Sequence, residues 1–234
     1  LDGFSGTNDT LSFTKTSSAV FVNISNSAIN SDIDGNGTND TIAANTATGA
    51  TIGTDRVYNF DDVIGGAGHD TLIGDNFANT LSGANGNDIL VGGEGADKLI
   101  GGSGNDTFNA SEGSDIITGG LGSDSLIYNT LVYSDTVSGN GRDTWTDFHV
   151  GDVNTDVEAD KIDLSQLLSD YHNTTDGSVA ALLDYILVQQ DGANTTISVD
   201  LDGSASNYSN TQLLTLDNVH TTLNDLLNNH QIII

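Results

Sequence analysis

The chain has 234 residues, no cysteine, methionine or proline, and a formal net charge of −28 carried almost wholly by aspartate; Glu94, Glu112 and Glu158 are the only glutamates. The missing thiols exclude disulfides and thiolate metal sites, and the acidity argues against nucleic acid or an anionic membrane as partner. No apolar run approaches the roughly 20 residues that span a bilayer. Aspartate with glycine and asparagine is instead a composition of turns and hard-cation ligands. With no methionine and Leu1 at its head, the sequence reads as an excised piece of a longer chain, with room for one or two domains.

Residues 1–62 read as irregular, degenerate solenoid coils. GTNDTL, Gly6 to Leu11, partially echoes a unit that becomes regular later. Val20, Val22 and Ile24 alternate with Phe21 and Asn23, the period of a strand. DIDGNGTND, Asp32 to Asp40, places oxygen-bearing side chains at alternate positions with a glycine at the sixth. That is the first half of an EF-hand-like loop, so Asp32, Asp34, Asn36 and Asp40 are candidate calcium ligands. Ala43 stands where a bidentate acid belongs, and a plain Asx-rich turn is the alternative. GTDRVYNF, Gly53 to Phe60, reads as a strand leading into the regular region.

From Gly65 to Ile127 the sequence runs in nines: GGAGHDTLI, GDNFANTLS, GANGNDILV, GGEGADKLI, GGSGNDTFN, ASEGSDIIT, GGLGSDSLI. Glycine recurs at positions one, two and four, aspartate at six and a large apolar residue at eight. Six turn residues and a short strand make half a coil, so two units close one turn of a parallel β-solenoid. Leu72, Leu90, Phe108 and Leu126 then stack on one wall, and Leu81, Leu99 and Ile117 on the other. Asp70, Asp88, Asp106 and Asp124 share one edge; Asp97 and Asp115 share the opposite edge. Coils about 4.7–4.9 Å apart put carboxylates of neighbouring coils within reach of one calcium ion, whose oxygen ligands lie at about 2.3–2.6 Å. Two such carboxylates without the ion repel by roughly 3 kcal/mol at an effective dielectric near 20, which predicts folding only with calcium. Asn79 replaces aspartate in the second unit, which makes a site there doubtful. These seven units resemble the calcium-binding nonapeptide repeats of RTX proteins. The resemblance implies a mainly β chain built on a parallel β-solenoid, or β-roll, over residues 63–137.

After Ile127 the period breaks, and a last unit-like stretch, SGNGRDTW from Ser138 to Trp145, offers Asp143 as a cap on the Asp124 edge. Residues 138–234 are predicted to form a β-rich cap with a few short helices. The helices fall at 163–168, 178–185 and 222–227, and the strands at 195–199 and 213–216. The alternating acids from Asp152 to Asp160 offer Asp152 and Asp156 as further calcium ligands; Asp200 to Gly203 is a weaker acidic turn. GRDTWTDF (141–148), DKIDLSQLL (160–168), TLDNV (215–219) and the LLNNHQIII ending resemble the C-terminal target domain of type I secretion substrates, in the form found on large bacterial adhesins. That resemblance implies an uncleaved export signal read by an ABC exporter with its membrane-fusion protein and outer-membrane channel.

No H-E-x-x-H zinc motif, G-x-S-x-G elbow or phosphate loop occurs, and His69, at a variable repeat position, reads as an exposed loop residue. The expected function is therefore non-enzymatic: the calcium-folded end of a secreted, cell-surface adhesin, a monomer within a larger polypeptide, with no membrane insertion. The rivals are the tail of a secreted RTX protease, lipase or toxin, and an ice- or surface-binding solenoid face. The last needs a regular row of Thr and Asn, and the third and fifth repeat positions are instead irregular and include Glu94 and Glu112.

Overall fold

The computed structural model describes residues 9–31, 40–128, 141–168, 185–200 and 211–234. The eighteen-residue step dominates it, because residues that far apart are paired in adjacent coils. One wall carries β1 (Thr10–Ser12), β7 (Asp62–Ile64), β9 (Thr80–Asn85), β11 (Lys98–Ser103) and β13 (Ile116–Leu121) in parallel order. The other carries β2 (Val20–Asn23), β8 (Thr71–Ile73), β10 (Ile89–Glu94), β12 (Thr107–Glu112) and β14 (Ser125–Ile127). Position-eight residues pair in register, Leu72 with Leu90 and Phe108 with Leu126 on one wall, Leu81 with Leu99 and Ile117 on the other. All seven of these repeat side chains are fully buried. Burying such a side chain contributes about 1.5–3 kcal/mol, so the repeat builds a narrow core from one residue per unit.

The ladder continues past the repeats in both directions. Above, β15 (Asp143–Trp145) and β19 (Thr211–Leu216) extend the first wall, while β16 (Lys161–Asp163) and β20 (Ile232–Ile233) extend the second. Trp145 and Leu216 thereby stack over Ile117, and Ile162 and Ile232 over Leu126. Below, Leu11 lies under Val63 and Val22 under Leu72. Additions hang off this column. β5 (Thr46–Gly49) and β6 (Gly53–Arg56) turn back antiparallel against β2; β3 (Ile29–Ser31) pairs with β4 (Asp40–Ile42). β17 (Ile186–Asp191) and β18 (Asn194–Val199) form a hairpin on β19, turning at Gly192 with φ of +64°. Of the expected helices, 163–168 appears as α1 (Ser165–Leu168) and 222–227 as α2 (Leu223–Asn228), with Thr222 accepting the Asp225 N–H as N-cap. The one expected at 178–185 lies outside the described residues except for Tyr185, which stands in a turn leading into β17.

Two sequence expectations change. Gly53–Arg56 is an exposed outer hairpin strand paired with β5, not the lead into the repeats. The repeat strands also run longer than predicted, through positions one to three of the following unit, as in Lys98–Ser103. Glycine makes that possible: Gly102 pairs with Gly120 and Ala84, and a Cβ on Gly102 would strike the Ala84 carbonyl oxygen. Without side chains there, neighbouring backbones approach closely enough to stay paired into the turn.

Candidate metal centre

Each repeat aspartate ties its coil to the preceding one through an amide. The N–H of Asp70 donates to Asp88 Oδ1 at 2.7 Å, that of Asp88 to Asp106 Oδ1 at 2.8 Å, and that of Asp106 to Asp124 Oδ1 at 2.8 Å. On the other edge Asn79 and Asp97 donate in the same way to Asp97 and Asp115. The second oxygen turns into its own unit. A Cβ on Gly101 would collide with Asp106 Oδ2 and stand 2.6 Å from the Gly119 carbonyl oxygen of the next coil. On Gly92 it would meet Asp97 Oδ2 at 2.5 Å and the Ala110 oxygen at 2.8 Å. A carboxylate oxygen and a main-chain oxygen from adjacent coils thus face a space that no side chain can occupy.

The Oδ2 atoms of Asp88, Asp97, Asp106, Asp115 and Asp124 are buried without a hydrogen-bond partner, in residues no more than 2% exposed. A buried unpartnered carboxylate oxygen costs several kcal/mol unless it meets a cation or a proton. Burial accordingly pushes Asp88 and Asp97 up to about 6, Asp106 and Asp124 to about 7 and Asp115 to about 8, with neighbouring carboxylates a smaller cause. This revises the sequence argument, in which repulsion alone opposed the calcium-free fold. Among the described residues no three acidic or histidine side chains cage an ion by themselves. The donors that fit are carboxylate oxygens together with turn carbonyls, a hard all-oxygen set that suits calcium.

The ends of the ladder differ from its middle. Asp70 has both oxygens engaged, by the Val20 and Gly66 N–H groups. Asn79 accepts the Asp75 N–H and donates Nδ2 to the Asp61 carbonyl, so the second unit presents an amide where the others present a carboxylate. Asp143 joins the Asp97–Asp115 edge, taking the Asp115 N–H at 3.0 Å, and not the Asp124 edge expected from its spacing. The reason is register: β15 pairs with β13, so Asp143 follows Asp115. The Asp124 edge is continued by Asp160, which takes the Asp124 N–H at 2.9 Å and the His149 N–H at 2.7 Å. Sequence reasoning missed Asp160 as a ladder residue because it stands thirty-six residues from Asp124; its two-residue offset before the buried Ile162 was the available signal.

Asp152 and Asp156 belong to a surface turn. Asp152 accepts the Asn154 N–H and faces His230 at 3.4 Å; Asp156 accepts the Glu158 N–H and meets His149 at 3.0 Å. Those backbone N–H groups hold both carboxyls below their ordinary range. Asp32, Asp34 and Asn36 lie outside the described residues, and Asp40 begins β4. His69 has a role that its loop position did not suggest: its Nδ1 accepts the Asn87 N–H at 2.6 Å, starting an edge row continued by Asn87 and Asn105.

A family model described as the RTX calcium-binding nonapeptide repeat (4 copies) matches residues 64–99 and 91–126. Residues 64–126 are an RTX calcium-binding repeat region. The match spans the units whose aspartates carry the orphaned oxygens, and RTX nonapeptide repeats bind calcium. The RTX repeat family is structural, not catalytic, and its members are secreted. No curated protein matches the chain. Among the described residues no helix is long and apolar enough to cross a membrane.

Proposed function

We propose that the RTX region is a calcium-operated folding switch in the C-terminal module of a large secreted bacterial adhesin, exported by a type I system. The observation that carries the switch is the row of five buried Oδ2 atoms without partners. A fold that leaves these charges bare is disfavoured at neutral pH, and calcium at extracellular levels, about 10⁻⁴–10⁻³ M, removes the penalty. At the far lower calcium inside a cell the chain stays unfolded, as threading through an exporter requires. The likeness of residues 139–234 to type I target domains supplies the export half, with the exporter, membrane-fusion protein and outer-membrane channel as partners. The module itself does no chemistry, and its destination is the extracellular face or the cell surface. Calcium ligation is assigned to Asp88, Asp97, Asp106, Asp115 and Asp124, with Asp70 and Asp143 closing the ladder.

Export of the chain fused to a passenger, measured with a type I exporter, tests both halves. Secretion that requires residues 139–234 and slows when external calcium is chelated supports the reading. Secretion unaffected by deleting that segment, or by chelation, contradicts the corresponding half.

A further inference from the structure

The turn of the third repeat carries an asparagine–glycine pair, Asn85–Gly86. A following glycine has no β-carbon, so its nitrogen reaches the asparagine side-chain carbonyl with the least hindrance. Two further pairs, Asn36–Gly37 and Asn140–Gly141, occur in the sequence; residues 36, 37 and 140 lie outside the described residues. Asn85 closes β9 with its side chain exposed. The glycine beside it is held fast. The Gly86 N–H donates to the Ser103 carbonyl of the next coil at 2.8 Å, and its φ is +133°. A Cβ on Gly86 would strike the Gly68 carbonyl oxygen, and one on Gly104 the Gly86 oxygen. The Asn85 N–H is in turn tied to the Gly66 carbonyl at 3.2 Å. Exposed electrophile and packed nucleophile therefore sit on neighbouring residues of one coil.

We propose that Asn85 is a calcium-gated deamidation site, shielded in the closed coil and reactive whenever the ions are lost and the coil opens. The Gly86 nitrogen attacks Asn85 Cγ, the new C–N bond closes a five-membered succinimide, and the side-chain nitrogen leaves as ammonia with the Gly86 proton. Water then opens the ring at one carbonyl or the other. One opening gives aspartate; the other gives isoaspartate, with the main chain running through the former side chain. In the closed coil Gly86 reaches Cγ only by giving up the Ser103 bond and leaving its place between Gly68 and Gly104. Isoaspartate adds one carbon to the main chain beside a residue where not even a Cβ fits, so this product prevents the coil from closing again. Aspartate alters only an exposed side chain. Asp88, three residues on, bonds its neighbours in the ladder from both sides, so a coil that cannot close interrupts the ladder there. A molecule left long without calcium is thereby marked and loses its ability to refold.

The gating by calcium rests on the folding-switch reading, whereas the shield rests on the closed coil alone, and the test separates them. The full chain is aged in three samples: with saturating calcium, with chelator, and in guanidinium. Mass spectrometry follows the Asn85 peptide, and isoaspartate methyltransferase labels the branched product. Conversion of Asn85 should be about tenfold or more slower with calcium than in guanidinium, and the chelated sample should match guanidinium. Equal rates with calcium and in guanidinium overturn the shield. Slow conversion in a chelated sample that circular dichroism shows to be unfolded overturns the gating. A chelated sample that keeps its β structure contradicts the switch instead, and the other two samples still decide the shield. Returning calcium to the chelated sample tests the consequence. The wild-type chain should regain less β structure than an Asn85→Gln chain aged alike, since glutamine must close a six-membered ring and does so far more slowly. Unaged Asn85→Asp should fold fully. Equal recovery by wild type and Asn85→Gln, with isoaspartate present at residue 85, overturns the block to refolding.

Discussion

The hydroxyl of Tyr128 donates to Asp143 Oδ2 at 2.8 Å inside the column, where both residues are almost wholly buried. Asp143 Oδ1 already holds the Asp115 N–H. A phenol thus supplies the partner that the inner aspartates of the same edge lack, and this edge of the ladder ends in a neutral donor. Burial and the Asp143 charge push the Tyr128 hydroxyl well above its ordinary range, so it remains a donor.

Tyr128→Phe should therefore destabilise the calcium-loaded protein by about 1–3 kcal/mol, the cost of leaving a buried acceptor unsatisfied. Chemical denaturation at saturating calcium measures it. Adding Asp143→Asn to that variant should restore part of the loss, since the uncompensated charge goes with it.

Removing an orphaned carboxylate should change sign with calcium. Asp106→Asn deletes a buried charge and should stabilise the fold under chelation. With calcium present it loses a ligand and should lower the melting temperature and the number of ions bound. Asp70→Asn, whose oxygens both hold N–H groups, should destabilise in both conditions. Paired melting curves with calcium and with chelator distinguish the two.

Acid should partly replace calcium. The folded carboxyls of Asp88 to Asp124 on both edges lie at about 6 to 8 against an ordinary 3.8. Between those values the folded chain binds protons that the unfolded chain does not. The associated stability is present below about pH 4 and falls as pH rises through 6 to 8. Far-UV circular dichroism under chelation should show β structure increasing from pH 8 to pH 5, with no such gain when calcium is bound.

Ala84 and Ser111 hold position two of their units at φ of +81° and +72°, a conformation that costs a side-chain-bearing residue about 1–2 kcal/mol. Ala84→Gly and Ser111→Gly should each stabilise by roughly 0.5–1 kcal/mol after the extra entropy of unfolded glycine is subtracted. Gly102→Ala should destabilise, because its Cβ strikes the Ala84 carbonyl oxygen. Denaturant midpoints at fixed calcium check all three.

The walls were legible because each unit contributes one large residue at a fixed place; Leu72 to Leu126 and Leu81 to Ile117 pair as the period demands. Beyond Ile127 the local elements were legible too, since α1, α2, β18 and β19 fall where expected, but the coil each joins was not, because the connections lengthen while the register is kept. From Asp115 to Asp143 the step is 28 residues, and from Asp124 to Asp160 it is 36. Sequence spacing therefore assigned Asp143 to the wrong edge and passed over Asp160 and Tyr128. The energetic source was also hidden. Nine-residue spacing shows that aspartates are near one another, but not that each carboxylate uses one oxygen on an amide and buries the other. That second oxygen makes desolvation, more than mutual repulsion, the obstacle to folding without the ion.

The most direct test is a calcium titration of the full chain at pH 7.5, followed by far-UV circular dichroism and ion counting. Cooperative gain of parallel β structure coincident with the binding of several ions, reversed by chelator, is the predicted result. Full β structure under chelation at that pH, with ions binding later and without further folding, would contradict it.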